Sequence, residues 1–99
     1  MLLLTGATGF VGGAILQTLS SNKVKVLGRS RPKNGSFIFV TSEIKSDIDY
    51  SNALVDVDVI IHSAARAHIM KDNAEEPLEA FREVNSLGTL NLARQAASA

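Results

Sequence analysis

The order of apolar segments predicts an α/β fold with a parallel sheet of about four strands. Three observations carry this expectation. Short apolar runs at Met1–Thr5, Lys23–Gly28, Ser36–Val40 and Asp56–His62 read as strands. Two segments, Phe10 to about Ser21 and Pro77 to about Ala97, space their apolar residues as helices do. Glycine gathers at the first strand-to-helix junction, where residues 5 to 12 read TGATGFVG.

Met1–Thr5 is short, continuous and apolar, and glycine ends it, as suits a buried strand. In the first helix Val11, Ala14, Ile15 and Leu19 form the expected apolar face. Lys23–Gly28 alternates and reads as the second strand. Arg31-Pro32 and Asn34-Gly35 mark a loop, and Ser36–Val40 is rich in aromatic and β-branched residues. Ser51–Val55 suits one or two helical turns capped by Asp49 or Ser51. Pro77 fits the first position of the long helix, with Glu75 and Glu76 complementing its dipole. Phe81, Val84, Gly88 and Leu92 form its packing stripe, with Leu87 and Leu90 beside it. One connection fits a parallel sheet badly. About seven residues join the second and third strands, whereas a parallel crossover usually takes a dozen or more, and Asn34-Gly35 suits a hairpin.

Composition narrows the function. The 99 residues fit one domain, 45% hydrophobic and 20% charged, with a formal net charge of zero. Neither a nucleic-acid patch nor a polybasic membrane surface is expected. The absence of cysteine excludes disulfides, thiolate catalysis and cysteine zinc sites. Three leucines after the first residue are too short for a signal peptide, and no apolar run reaches membrane-span length. A cytoplasmic location is expected.

The glycine run has a chemical reading. Gly6 permits a tight turn, Gly9 leaves room for a phosphate beside the backbone, and Gly12 lets helix and strand approach. The first helical N–H groups, around Phe10 and Val11, would face an anion, and Thr8 could add a hydroxyl donor. A glycine-rich turn without a ligand is the alternative. The strand before and the amphipathic helix after favour a dinucleotide.

TGATGFVG resembles the cofactor motif of extended short-chain dehydrogenases/reductases, within the NAD-dependent epimerase/dehydratase group, which spaces its glycines as G-x-x-G-x-x-G. HSAA at residues 62 to 65 resembles the family's H-x-A-A beside the cofactor ribose. EVNSLGTLNL at residues 83 to 92 resembles its V-N-x-x-G-T helix. The stretch AARAHIMKD, residues 64 to 72, is most similar to nucleoside-diphosphate-sugar epimerases of the UDP-glucose 4-epimerase type. The resemblance implies a Rossmann-type three-layer fold with a sheet parallel throughout, and a nucleotide-sugar substrate for the parent protein.

The cofactor is expected to be NAD or NADP. NAD sites often place a carboxylate near the end of the second strand, whereas an arginine there accommodates the 2′-phosphate of NADP. Here that slot holds Gly28 or Arg29, with no carboxylate near. Arg29 and Arg31 could clamp a phosphate, or be two solvated loop arginines. The family also sets an acidic–hydrophobic pair against adenine after the third strand. Glu43-Ile44 is preferred over Asp47-Ile48, which lies farther out. By resemblance Ala64 and Ala65 lie close to the cofactor, and Asn85 lies under the site and braces strand backbone. The cofactor set is therefore Gly6, Thr8, Gly9, Phe10, Val11, Gly12, Arg29, Glu43, Ile44, Ala64, Ala65 and Asn85. His62 reads as a satisfied core histidine, and neither it nor His68 suggests zinc. Arg66 and Lys71 read as solvated charges rather than contacts to a substrate phosphate.

Extended family members act through a Tyr-x-x-x-Lys pair with a Ser or Thr. Tyr50, the one tyrosine, is followed by Ser51-Asn52-Ala53-Leu54, without the lysine. The resemblance therefore implies an N-terminal portion, with catalytic and substrate-binding residues beyond Ala99 and no activity in these residues alone. Without the family's fifth strand, Asp56–His62 would be an exposed apolar edge. Self-association, as a homodimer, is expected through it or through the long helix. Two alternatives stand: a non-enzymatic NAD(P)-binding regulator, and an extended reductase with a non-sugar substrate.

Overall fold

The computed structural model describes residues 1–19, 23–33, 37–64 and 77–99. Its elements are β1 (Leu2–Thr5), α1 (Phe10–Thr18), β2 (Val24–Gly28), β3 (Ile38–Thr41), β4 (Val59–His62) and α2 (Pro77–Arg82). A π-helical turn, Glu83–Gly88, then leads into α3 (Thr89–Ser98). The four strands lie in the order β3-β2-β1-β4, and every neighbouring pair is parallel.

Strand side chains alternate between faces, so one register divides the core in two. Leu4 pairs with Val26 and Ile61. That face carries Leu4, Ala7, Val24 and Val26, covered by Ile15, Leu16 and Leu19 of α1. The opposite face carries Leu3 and Leu27, covered by Ile44, Tyr50, Ala53, Leu54 and Leu92, with Val84 and Ala96 alongside. Helix, sheet and helix therefore form three layers.

β3 joins in parallel despite the short connection, pairing Lys25 with Ile38 through Gly28 with Thr41. Arg31 lies 4.5 Å over the Phe37 ring and 6.0 Å from that of Phe39, both packed on the α1-side core. This cation–π contact holds the connection against that face. The Asn34-Gly35 pair lies outside the described residues.

Some local expectations are corrected. In α1 the packed stripe is Gly12, Ile15, Leu16 and Leu19, while Val11 and Ala14 are exposed. The cause is Gly12, whose bare Cα sits against Gly6 and turns the helix by one residue. Residues 51–56 form turns, with one helical bond from the Leu54 N–H to Tyr50 O at 3.0 Å, as expected, while β4 starts at Val59 rather than Asp56. Asp49 Oδ1 accepts the Ser51 N–H at 2.9 Å, and Asp56 takes a left-handed φ of 62° that stops helical growth. Lys25 stabilises this arrangement. It is buried, and its ammonium donates to Ala53 O at 3.1 Å and Val55 O at 3.0 Å. The long helix runs from Pro77 to Ser98 as expected, with the π-helical turn inside it. Val84, Gly88 and Leu92 face the core, but Leu87 and Leu90 are exposed. Gly88 is where the turn meets the rest of the molecule: a Cβ there would lie 2.8 Å from Ile44 Cγ2. Among the described residues no helix is long and apolar enough to cross a membrane.

Candidate functional site

An open cavity of about 500 Å³ lies at the C-terminal ends of β1, β2 and β4. In parallel α/β sheets this is where ligands bind. Gly6, Thr8 and Gly9 form one wall, Gly28 and Arg29 the end of β2, Ser42 to Lys45 the far wall, and Ser63 and Ala64 the floor after β4.

The three glycines do different jobs. Gly6 has φ +75°, and a Cβ there would lie 2.6 Å from Ala64 N and 2.7 Å from Ser63 Oγ. At Gly12 a Cβ would overlap Gly6 O outright and lie 2.7 Å from Ser63 Oγ. A side chain at either position would clash within the fold. Gly9 differs. Its φ of −81° and ψ of 173° suit any residue, and a Cβ would meet only Gly6 O, at 3.4 Å. The protein itself leaves the space beside Gly9 open, and that space belongs to the cavity. α1 begins at Phe10 with no side-chain cap at Gly9 and no acidic residue in its first turn. Its leading N–H groups thus keep their capacity for an anion.

The far wall is loop backbone held by side chains. Tyr50 is buried; its hydroxyl donates to Glu43 O at 2.7 Å and accepts the Lys45 N–H at 3.1 Å. Burial pushes its phenol above the ordinary range. Asn91 Nδ2 donates to Lys45 O and Ile48 O, both at 2.9 Å. Gln95 Nε2 donates to Ile48 O at 2.8 Å, and its Oε1 accepts the Tyr50 N–H at 2.7 Å. Glu83 Oε1 accepts from Ser46 N at 2.8 Å and Ser46 Oγ at 2.7 Å, which holds its carboxyl below the usual range. The long helix therefore sets the position of this wall.

The floor is tied by a chain through His62. Thr5 Oγ1 accepts the Ala64 N–H at 3.1 Å and lies 2.7 Å from His62 Nδ1. His62 Nε2 lies 2.9 Å from Thr89 Oγ1, whose hydroxyl reaches Val84 O at 3.4 Å. One tautomer satisfies every member: Thr5 donates to Nδ1, and the Nε2 proton goes to Thr89. Burial holds His62 below its ordinary value, in keeping with a neutral ring. Ser63 Oγ donates to Thr5 O at 2.6 Å, beneath the glycine turn.

The family model for the NAD dependent epimerase/dehydratase family matches residues 2–99. The chain belongs to this family. It is 40% identical over 99 residues to UDP-glucose 4-epimerase of Vibrio cholerae, covering 96% of this chain and 30% of that protein. It is 32% identical over 100 residues to a putative UDP-glucose 4-epimerase of Methanocaldococcus jannaschii, covering 93% and 32%. Among solved structures, a monomeric L-threonine 3-dehydrogenase from a metagenome superposes with a TM-score of 0.72 at 26% identity, covering 97% of this chain and 32% of that one. The chain spans about a third of the length of these relatives.

Of the residues expected from the family's motifs, Gly6, Thr8, Gly9, Arg29, Glu43, Ile44 and Ala64 line the cavity together. Glu43-Ile44 rather than Asp47-Ile48 forms its far wall; Ile48 packs into the core instead. Phe10, Val11, Gly12 and Asn85 are not in the lining. The Phe10 and Val11 side chains are exposed, Gly12 is buried behind the cradle, and Asn85 is on the exposed side of the π-helical turn. Arg31 does not join Arg29; it is engaged with Phe37. Ala65, Arg66, His68 and Lys71 lie outside the described residues. Lining residues not anticipated are Leu27, Ser42, Lys45, Ser63 and Val84. Ser63 had a signal, since it sits between the two recognised positions His62 and Ala64. Lys45 had none, because loop backbone has no period from which a facing side can be read.

Proposed function

We propose that this chain is the dinucleotide-binding portion of a cytoplasmic, homodimeric epimerase or dehydratase that moves a hydride at a hydroxyl of a nucleotide sugar. The observation that carries the reading is the bare space at Gly9. The fold tolerates a side chain there, and its absence opens the cavity wall where uncapped N–H groups of α1 begin. Gly6 and Gly9, with the first turn of α1 at Phe10 and Val11, hold the pyrophosphate, aided by the Thr8 hydroxyl. Glu43 and Ile44 take the adenine, Arg29 stands by the 2′ position of the adenosine ribose, and Ala64 and Ala65 pass beside the second ribose. Asn85 braces the strand ends from the helix. A bound dinucleotide supplies the hydride acceptor, while these residues bind and orient it.

The sugar part of the reading is supported by the two UDP-glucose 4-epimerase relatives. Calorimetric titration of the 99-residue chain with NAD⁺ and NADP⁺, beside Gly9→Val, tests the site. Saturable binding lost in Gly9→Val is expected, and no binding of either dinucleotide would overturn the reading. For the parent protein, conversion of UDP-glucose to its 4-epimer is expected. Failure on every UDP-sugar offered, by a protein that retains dinucleotide binding, would overturn the sugar assignment alone.

A further inference from the structure

We infer that the adenosine-ribose end of the cavity is built for a 2′-phosphate, so that the chain prefers NADP⁺ to NAD⁺; this rests on the dinucleotide reading. The residue closing β2 is Gly28, which lines the cavity. Its φ is not left-handed, and a Cβ there would find only Ser30 O, at 3.8 Å. The fold therefore has room for an aspartate where a carboxylate would bind the ribose 2′-hydroxyl, yet offers no side chain at all. The next residue, Arg29, lines the same cavity, is exposed and makes no ion pair among the described residues. A guanidinium presents several N–H donors in a plane that matches two phosphate oxygens.

The charge of the surrounding wall points the same way. Among the described residues the lining holds two cations, Arg29 and Lys45, and one carboxylate, Glu43. That carboxylate lies 3.5 Å from the Lys45 ammonium, so it is the partly neutralised charge. Arg29 remains to meet an incoming dianion. The second arginine of the segment is excluded by its own contact: Arg31 is stacked 4.5 Å over Phe37 and is not in the lining. One arginine, not a pair, sets the preference.

The test is titration calorimetry of the 99-residue chain with each dinucleotide, for the native chain and for Arg29→Ala, Arg31→Ala and Gly28→Asp. Native chain is expected to bind NADP⁺ at least about tenfold more tightly than NAD⁺, the scale of a charge-assisted phosphate contact. Arg29→Ala should erase that difference by weakening NADP⁺ alone, and Arg31→Ala should leave it unchanged. Gly28→Asp should invert it, with NAD⁺ now the tighter ligand. Arg29 and Arg31 are exposed, Gly28 is half-buried with room for a Cβ, and thermal unfolding of each variant checks that the fold is intact. Equal or tighter NAD⁺ binding by the native chain would overturn the inference while leaving dinucleotide binding in place. So would an Arg29→Ala loss shared equally by both ligands. Binding of neither ligand would instead overturn the underlying dinucleotide reading.

Discussion

Alanine placed in turn at Gly6, Gly9 and Gly12 separates folding from binding within seven residues of chain. At Gly12 the new methyl would lie 2.5 Å from Gly6 C and 2.7 Å from Ser63 Oγ, and it would overlap Gly6 O. Two of these three neighbouring atoms are backbone, so relief requires α1 to move off the sheet. Overpacking costs about 1–3 kcal/mol where side chains can adjust, and a backbone clash belongs at the top of that range. In a domain of this size a loss of about 3 kcal/mol lowers Tm by roughly 12–24 °C. Gly6→Ala adds a left-handed φ of +75° to clashes at 2.6 and 2.7 Å, and strain of about 1–3 kcal/mol accompanies the φ alone. Both losses are large against a total stability of roughly 5–15 kcal/mol. Gly9→Ala meets one atom at ordinary contact distance in an unstrained backbone, so Tm should stay within about 4 °C, the shift of under 1 kcal/mol. Its methyl nevertheless enters the phosphate approach, and dinucleotide affinity should fall about tenfold or more, with the loss of at least one charge-assisted hydrogen bond. Circular-dichroism melting and calorimetric titration of the same samples give both numbers. If Gly9→Ala melted as low as Gly12→Ala, or if Gly12→Ala melted like the native chain, the division of labour among the glycines would be refuted.

Three further perturbations test the walls. Gln95→Ala removes the acceptor for the Tyr50 N–H and one donor to Ile48 O, and should lower stability by about 1–3 kcal/mol in urea titration. Dinucleotide affinity should fall with it, because the loop so held includes Glu43 and Ile44; Gln95→Glu, which keeps the acceptor but sets a carboxylate oxygen against Ile48 O and Asn91 Oδ1, should be no milder. Lys25→Met keeps the apolar stem but strips the Ala53 and Val55 carbonyls of their donor, and should cost about 2–3 kcal/mol with no change in dinucleotide affinity, since Lys25 lies outside the cavity. His62 gives a pH signature. Burial lowers its pKa from an ordinary 6.5, so the unfolded chain binds the proton more readily than the folded one. Its contribution is therefore complete above about pH 6.5 and is lost as pH falls through the lower, folded value. Stability measured by urea should decline below pH 6.5 in the native chain, and His62→Phe should flatten that decline; an identical slope in both would refute the assignment. Glu83 and Asp49, also lowered, act in a separate window below their ordinary values of 4.5 and 3.8.

The parts of the fold legible in the sequence are those where one local rule decides. Four apolar runs gave four strands, and the glycine spacing gave the cradle, because each is set by neighbours in the chain. The parallel setting of β3 was not local. Asn34-Gly35 argued for a hairpin, and only the family resemblance outweighed it. The burial of Lys25 is not local either, since its ammonium is satisfied by carbonyls from residues 53 and 55. The face of α1 departs from the Val11 and Ala14 pattern because Gly12 must lie against Gly6. The lining of the far wall was half legible. Glu43 and Ile44 came from the family's pairing after β3, whereas the network that holds them did not. Asn91 and Gln95, one helical turn apart, carried the spacing of a shared face, but nothing in the spacing says that the face meets a loop.

That network bears on how the site is assembled. Residues 42–50 have no ladder of their own, so their buried backbone groups must find partners elsewhere. The partners are Tyr50 from within the loop, and Glu83, Asn91 and Gln95 from the helix. The π-helical turn lies at the centre of this contact, since Gly88 brings helix backbone onto Ile44 and Thr89 reaches His62. A helix that follows the sheet in sequence thus positions both the wall after β3 and the floor after β4. Loosening the helix alone should therefore open the far wall while leaving the glycine cradle formed. The cradle's own constraints, at Gly6, Gly12 and Ser63, are local to β1, α1 and the end of β4. Hydrogen exchange of Gln95→Ala should accordingly rise at Lys45 and Tyr50 and stay native-like at Gly13, whose N–H is bonded to Gly9 O at 2.8 Å. Equal acceleration at all three amides would mean that cradle and wall open as one unit, and the assembly in two parts would have to be abandoned.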